Sequence, residues 1–260
     1  MNFQKKRILI TVKAYPNPST KYGETVCCAG VDLGTGQWIR LYPIPYRDLD
    51  NDQKFRKYSI IEAECAPAQD DKRPESFKVR SSTIKIIEWI DTEKGKWSKR
   101  KSLVMQLPVK SMCQVYKDMK KEDQSLGIIK PTNISFDWGK RSKSDQLARE
   151  ACYSQLGFFK KNKEAIEKIP FNFYYTFKCA IEDTCPGHKL LIIDWEIDQA
   201  YRDWRYRYPR EEVLLEKIKQ KWMDLSDDTK KDVYFYVGNM LRIRKNFMVL
   251  GVFNPRNISP

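Results

Sequence analysis

The chain has 260 residues, 41% of them hydrophobic and 13% aromatic, enough to bury a core and too apolar for wholesale disorder. Its 48 Lys+Arg against 34 Asp+Glu leave a formal charge of +14, which draws polyanions. Nucleic acid is the first such partner, and an acidic protein or an anionic membrane surface would satisfy the same numbers. No run approaches the roughly 18 apolar residues of a transmembrane helix. The seven cysteines, odd in number and irregular in spacing, exclude a secreted disulfide framework and point to a reducing cytoplasm.

In chain order, the opening run MNFQKKRILITVKAYP is too short and too alternating for a signal peptide. Residues 8–12 read as a half-buried strand. ETVCCAGV (24–31) and QWIRLY (37–42) form a hairpin across Gly34-Thr35-Gly36, and Pro43 and Pro45 end it. Residues 59–66 and 76–90 supply further strands. Five short strands make a small β-barrel, the OB-fold among the leading candidates. Residues 91–101 then read as a charged loop and 111–121 as a short helix. An apolar segment, 125–129, stops at Pro131.

The polar, lysine-rich stretch 139–170 reads as a boundary between a first module, 1–138, and a second, 171–260. In the second, FNFYYTFKC (171–179) alternates like a strand and 190–193 reads as a short buried strand. From Asp194 the period becomes helical, with Ile197, Tyr201, Trp204 and Tyr208 on one stripe. Pro209 opens a second helix carrying Leu215, Ile218, Trp222 and Leu225, and 233–237 and 247–253 return to strand. The fold class expected is α+β: an OB-like barrel followed by a module of two helices and barrel-like strands.

Chemistry-bearing residues concentrate in FKCAIEDTCPGHKLLIIDWE, 177–196. Cys179, Cys185 and the single histidine, His188, are ligand types that zinc prefers, and Pro186-Gly187 can turn them toward one point. A fourth ligand is needed, and Cys113, Cys152 and Asp183 are equally eligible. The bland alternative is two buried thiols and a hydrogen-bonded imidazole. Asp194 and Glu196, with His188, could hold magnesium for a nuclease, yet Asp198 stands where such enzymes want lysine; a helix cap explains Asp194 as well.

Basic residues supply the nucleic-acid reading. In YRDWRYRYPR, Arg202, Arg205 and Arg207 can pair with phosphate, while Tyr201, Trp204 and Tyr208 belong to the core stripe. Further clusters are Lys99-Arg100-Lys101, Lys140-Arg141, Lys160-Lys161 and Arg242, Arg244, Lys245. Trp38, Arg40 and Tyr42 share one strand face, as either a stacking platform for bases or a surface buried under the second module.

The run ILITVKAYPNPSTKYGETVCCAG…GQWIRLYPIPYRDL, followed by DKRPESFKV and later by FKCAIEDTCPGH, IIDWEI, YFYVGN and FMVLGVFNP, resembles an uncharacterised bacterial family described as dual OB-domain proteins. The resemblance implies two barrels and nucleic-acid binding, within genome-conflict or antiviral defence loci, and brings no catalytic residues. The function expected is thus a cytoplasmic nucleic-acid-binding recognition or accessory subunit beside a protein partner that supplies chemistry. Its alternatives are a metal-dependent nuclease and a scaffold for an acidic partner.

Overall fold

The computed structural model describes residues 2–14, 17–19, 23–142, 169–241 and 243–257. Strand β1 (Gln4–Lys13) is not half-buried: every residue from Ile8 to Val12 is inside. One face, Ile8 and Ile10, packs on Ile39, Leu41, Phe55 and Ile61 within a first barrel. The other, Leu9 and Val12, meets Val104, Ile128, Tyr236 and Phe253 in a second core between the two modules. An apolar run without true alternation is what a strand covered on both faces requires.

The first barrel is a closed ring of five strands. β1 pairs with β3 (Gly23–Asp32), β3 with β4 (Gln37–Ile44), and β4 runs parallel to β6 (Ser76–Val79). β6 pairs with β5 (Ser59–Pro67), which returns to β1. β2 (Asn17–Ser19) is appended to β3 and β7 (Lys85–Trp89) to β5. The 34–36 turn forms as expected, with the Asp32 carbonyl accepting from Thr35 and Gly36 and Gly36 at φ +68°. Pro43 does not end β4, which continues to Ile44. The ladder with β3 shifts register there, from Cys28↔Leu41 to Val26↔Ile44, and a bulge tolerates a residue without an amide hydrogen.

The charged stretch 91–101 is not a loop throughout: it contains a 3₁₀ turn (Glu93–Gly95) and the start of helix α1 (Ser98–Val104), anchored by buried Arg100 and Val104. Helix α2 (Met112–Glu122) begins at Ser111, whose hydroxyl accepts from the Gln114 amide at 2.9 Å.

The second sheet runs β10 (Pro131–Lys140), β11 (Phe171–Cys179), β12 (His188–Ile192), β14 (Phe247–Phe253), β13 (Tyr234–Asn239), β9 (Leu126–Ile129) and β8 (Val109–Lys110). β12 and β14 are parallel, as are β8 and β9, and the other neighbours are antiparallel. β10 has no counterpart in the sequence reading, because TNISFDW carries a single fully buried apolar group, Phe136, between polar residues. That ring stacks on Phe173 at 5.8 Å. Three strands and α2 before residue 139 therefore serve the second sheet, so sheet membership changes near 108 and not within 139–170. Residues 143–168 lie outside the described residues.

Helices α3 (Trp195–Arg207) and α4 (Glu211–Leu225) connect β12 to β13, and Pro209 sits between them instead of in the first turn of α4. Their stripes, Ile197 and Tyr201 with Leu214, Leu215, Ile218 and Trp222, cover the aromatic wall of Phe171, Phe173 and Tyr175. The fold is mixed α+β, with four α-helices among the described residues, and no helix is long and apolar enough to cross a membrane.

Candidate metal centre

Four side chains from three places converge at one end of the second sheet. Cys113 comes from the first turn of α2, Cys179 from the end of β11, and Cys185 and His188 from the β11–β12 turn and the start of β12. Their ligand atoms all lie within 4.8 Å of one another. His188 Nε2 is 3.5 Å from Cys113 Sγ, 3.5 Å from Cys179 Sγ and 3.3 Å from Cys185 Sγ. The turn that gathers them uses Gly187 at φ +90°. Cys113 is thus the fourth member, selected over Asp183 by the packing of α2 on the hairpin; Cys152 lies outside the described residues.

Backbone amides point at the sulfurs: Met112 N–H donates to Cys179 at 3.1 Å, and Cys179 and Gly187 N–H donate to Cys185 at 3.3 and 3.4 Å. Burial opposes ionisation of Cys185, yet those two amides, together with hydrogen bonds from the Cys179 and Cys113 thiols, outweigh it and hold its thiol below the ordinary value. Burial pushes the Cys113 thiol up to about 12 and raises Cys179. Burial also lowers His188, keeping its imidazole neutral, the form that binds metal. Tyr116 and Phe177 flank the ring at 6.0 and 5.5 Å. Three sulfurs and one nitrogen, half-screened from water, can hold a metal ion.

The nuclease constellation does not assemble. Asp194 caps α3, accepting from the Glu196 amide at 3.1 Å, and both its oxygens bind the Lys57 ammonium at 2.6 and 2.7 Å. Glu196 Oε1 lies 3.2 Å from the same ammonium. Burial disfavours the Lys57 charge, but the two carboxylates outweigh it and raise Lys57 above the ordinary lysine range. A lysine of the first barrel therefore stands where a divalent cation would, and His188 faces the sulfurs. Lys57 and its neighbour Lys13, lying over the Tyr46 and Trp195 rings at 4.2 and 4.6 Å, had no signal in the local sequence pattern.

The basic candidates divide. Arg40 is buried between the modules, donating to the carbonyls of Ser125 at 3.2 Å and Asn239 at 3.4 Å. Trp38 sits edge-on to Tyr236 at 6.0 Å, so this part of the strand face is an inter-module contact and not a platform; Tyr42 is half-buried. Arg100 is buried too, donating to the Ile90 carbonyl and lying 4.0 Å from the centre of the Tyr58 ring. Lys99 pairs with Glu88, Lys101 with Asp232 at 2.7 Å, and Arg244 with Asp123 at 2.6 Å. Arg141 donates to the Phe171 carbonyl, Arg202 to Gln199 and Arg205 to the Tyr206 hydroxyl, and Arg207 lies over Tyr208. Lys140 and Lys245 are exposed, and Lys160, Lys161 and Arg242 lie outside the described residues.

Arg73 and Glu75, absent from the sequence reading, complete the inter-module polar contact. Arg73 donates to the Asn239 carbonyl at 2.9 Å, and Glu75 accepts from the Ser125 amide and hydroxyl at 2.6 and 2.9 Å.

A family model described as Domain of unknown function (DUF8758) matches residues 4–106, and another, described as Domain of unknown function (DUF8757), matches residues 108–260. They adjoin where sheet membership changes. No curated protein matches the chain. Covered over more than half its length by the second of these models, the chain belongs to the DUF8757 family, with a DUF8758 domain preceding it.

Proposed function

We propose that the chain is a nucleic-acid-binding recognition or accessory subunit made of two OB-type barrels, the second stapled by one zinc ion. The observation that carries the reading is a repeated strand circuit. With barrel strands numbered one to five along the chain, the first ring runs 1-2-3-5-4-1, strands 3 and 5 parallel. The second follows the same order if β9 and β10, separated by Lys130 alone, count as one bent strand 1. That circuit supports reading both halves as OB-type barrels, an architecture that serves oligonucleotide binding, here on a chain of charge +14.

Binding dominated by phosphate contacts weakens linearly in log–log salt plots. Fluorescence anisotropy with a labelled single strand and a labelled duplex, across a salt series, should show that fall. A flat response, or none at low salt, refutes the reading.

Zinc fits the cluster by arithmetic. Zn–S near 2.3 Å and Zn–N near 2.05 Å at tetrahedral angles place S···N at about 3.6 Å. The three separations here are 3.3, 3.5 and 3.5 Å. Four protein ligands leave no open position for substrate, so the ion's role is structural. A reducing cytoplasm would keep such thiolates available. Elemental analysis should return one equivalent of zinc; less than about a tenth would refute the assignment.

A further inference from the structure

We propose that Met240, Leu241 and Ile243, between β13 and β14, with Lys245 and the lysines at the end of α2, take the unpaired nucleobases of a single strand. The inference rests on the nucleic-acid reading above and gives it a contact surface and a strand form.

Met240, Leu241 and Ile243 are 42, 45 and 49% exposed, three large apolar side chains close together in one short loop. Isolated exposed apolar residues are ordinary, but three within four sequence positions offer a partner an apolar surface to cover. Ile243 and Arg244 are held from behind through their carbonyls. Asn246 N–H donates to the Ile243 carbonyl at 3.0 Å, and the Asn239 amide side chain donates to the Arg244 carbonyl at 2.9 Å. Arg73, from the other barrel, grips the Asn239 carbonyl at the loop's root. These side chains are therefore presented on a braced support, which lowers the ordering cost of binding.

What covers them is indicated by charge. No acidic residue occurs from Tyr234 to Pro260, and Lys245 is exposed beside the apolar group. Arg244 reaches Asp123, the residue that ends α2, at 2.6 Å, tying the loop to the helix terminus that carries exposed Lys120 and Lys121. Apolar tips flanked by cations suit a partner that alternates flat apolar faces with regularly spaced anions. An unpaired nucleic-acid strand offers that pattern, whereas a duplex hides its base faces in the stack.

The test is anisotropy with labelled oligothymidylate of 20 nucleotides and with a blunt duplex of the same length. The variant M240S/L241S/I243S, with thermal unfolding matching the wild type, should bind the single strand at least tenfold more weakly and keep its duplex affinity within twofold. The variant K120A/K121A/K245A should flatten the single-strand salt slope by about 2, at roughly 0.7 per lost phosphate contact. Wild-type affinity of the serine variant for oligothymidylate overturns the inference and leaves the nucleic-acid reading standing. So does loss of binding to phosphatidylserine vesicles with oligothymidylate binding intact, which would assign the loop to an anionic lipid surface. If the wild type binds neither nucleic acid, the broader reading fails and this one with it.

Discussion

Removing the metal is the perturbation that tests the centre most directly. The three sulfurs already stand close to tetrahedral spacing from His188 Nε2, and all four ligand atoms lie within 4.8 Å of one another. The three sulfurs would carry one more negative charge than zinc neutralises, and the amides of Met112, Cys179 and Gly187 offset part of it. Without metal, Cys113 and Cys179 return to protonated thiols, since burial pushes Cys113 up to about 12 and raises Cys179. Zinc binding therefore releases protons and strengthens with pH. At free zinc a thousandfold above Kd, linkage stabilises the native state by about 4 kcal/mol. A cooperative unit of 260 residues, whose two halves share one core, shifts by roughly 2 °C per kcal/mol, giving a fall in Tm of roughly 8 °C on full chelation. Thermal unfolding followed by circular dichroism, with a strong zinc chelator and after zinc is restored, reads this directly. Cys185→Ala should match the chelated protein, and Cys27→Ala, outside the cluster, should keep the zinc response. An unchanged Tm on chelation of a protein that carried zinc refutes the structural role.

Asp194→Ala strips the α3 cap and leaves the buried Lys57 ammonium with Glu196 alone. A loss of about 3–5 kcal/mol is expected from the broken pair and about 1 more from the cap, read as a shifted urea midpoint. A shift equivalent to less than about 1 kcal/mol would show that the pair contributes little. Arg40→Met leaves the Ser125 and Asn239 carbonyls without this donor and should cost about 1–3 kcal/mol while nucleic-acid affinity at 15 °C stays within twofold. A large affinity loss in a fully folded variant would return Arg40 to the binding surface. Asp118 is held below the ordinary carboxylate value: burial opposes its charge, but Lys110 at 2.5 Å and Gln114 at 2.6 Å outweigh it. A depressed folded pKa contributes stability that is present above about pH 4 and lost as pH falls through the folded value. Asp118→Asn should therefore cost about 1 kcal/mol at pH 7 and progressively less below pH 4, in denaturant titrations at both pH values; a pH-independent cost would refute the pairing.

What the sequence disclosed follows from the range of the forces involved. Helix stripes and caps are local, and Ser111, Asp194, Ile197, Tyr201, Ile218 and Trp222 can be placed from spacing alone. The three ligands within ten residues, Cys179 to His188, are local in the same sense. Cys113 is not: it reaches them because α2 packs on a hairpin more than 60 residues away, and nothing near Cys113 distinguishes it from Cys152. The Lys57–Asp194 pair spans 137 residues, and no periodicity encodes such a meeting. β10 was hidden for a different reason. Its partner β11 supplies most of the aromatic surface of their shared ladder, so β10 needs little apolar content of its own.

The same limit applies to the cations. Sequence treats an arginine as surface until a partner is seen, and here Arg40, Arg73 and Arg100 spend their donors on backbone carbonyls or nearby carboxylates inside the protein. Arg40 and Arg73 cross from the residues of one family model to those of the other, and the core they border does likewise. It joins Leu9, Ala29, Tyr58 and Ile90 to Ile128, Tyr236, Leu250 and Phe253. Separating the chain near residue 107 would expose that core and strip both arginines of their acceptors. The boundary between the two matched domains is therefore a boundary in sequence, while the physical unit is the first barrel and the second sheet together. The loop that begins at Asn239 inherits its brace from that pairing.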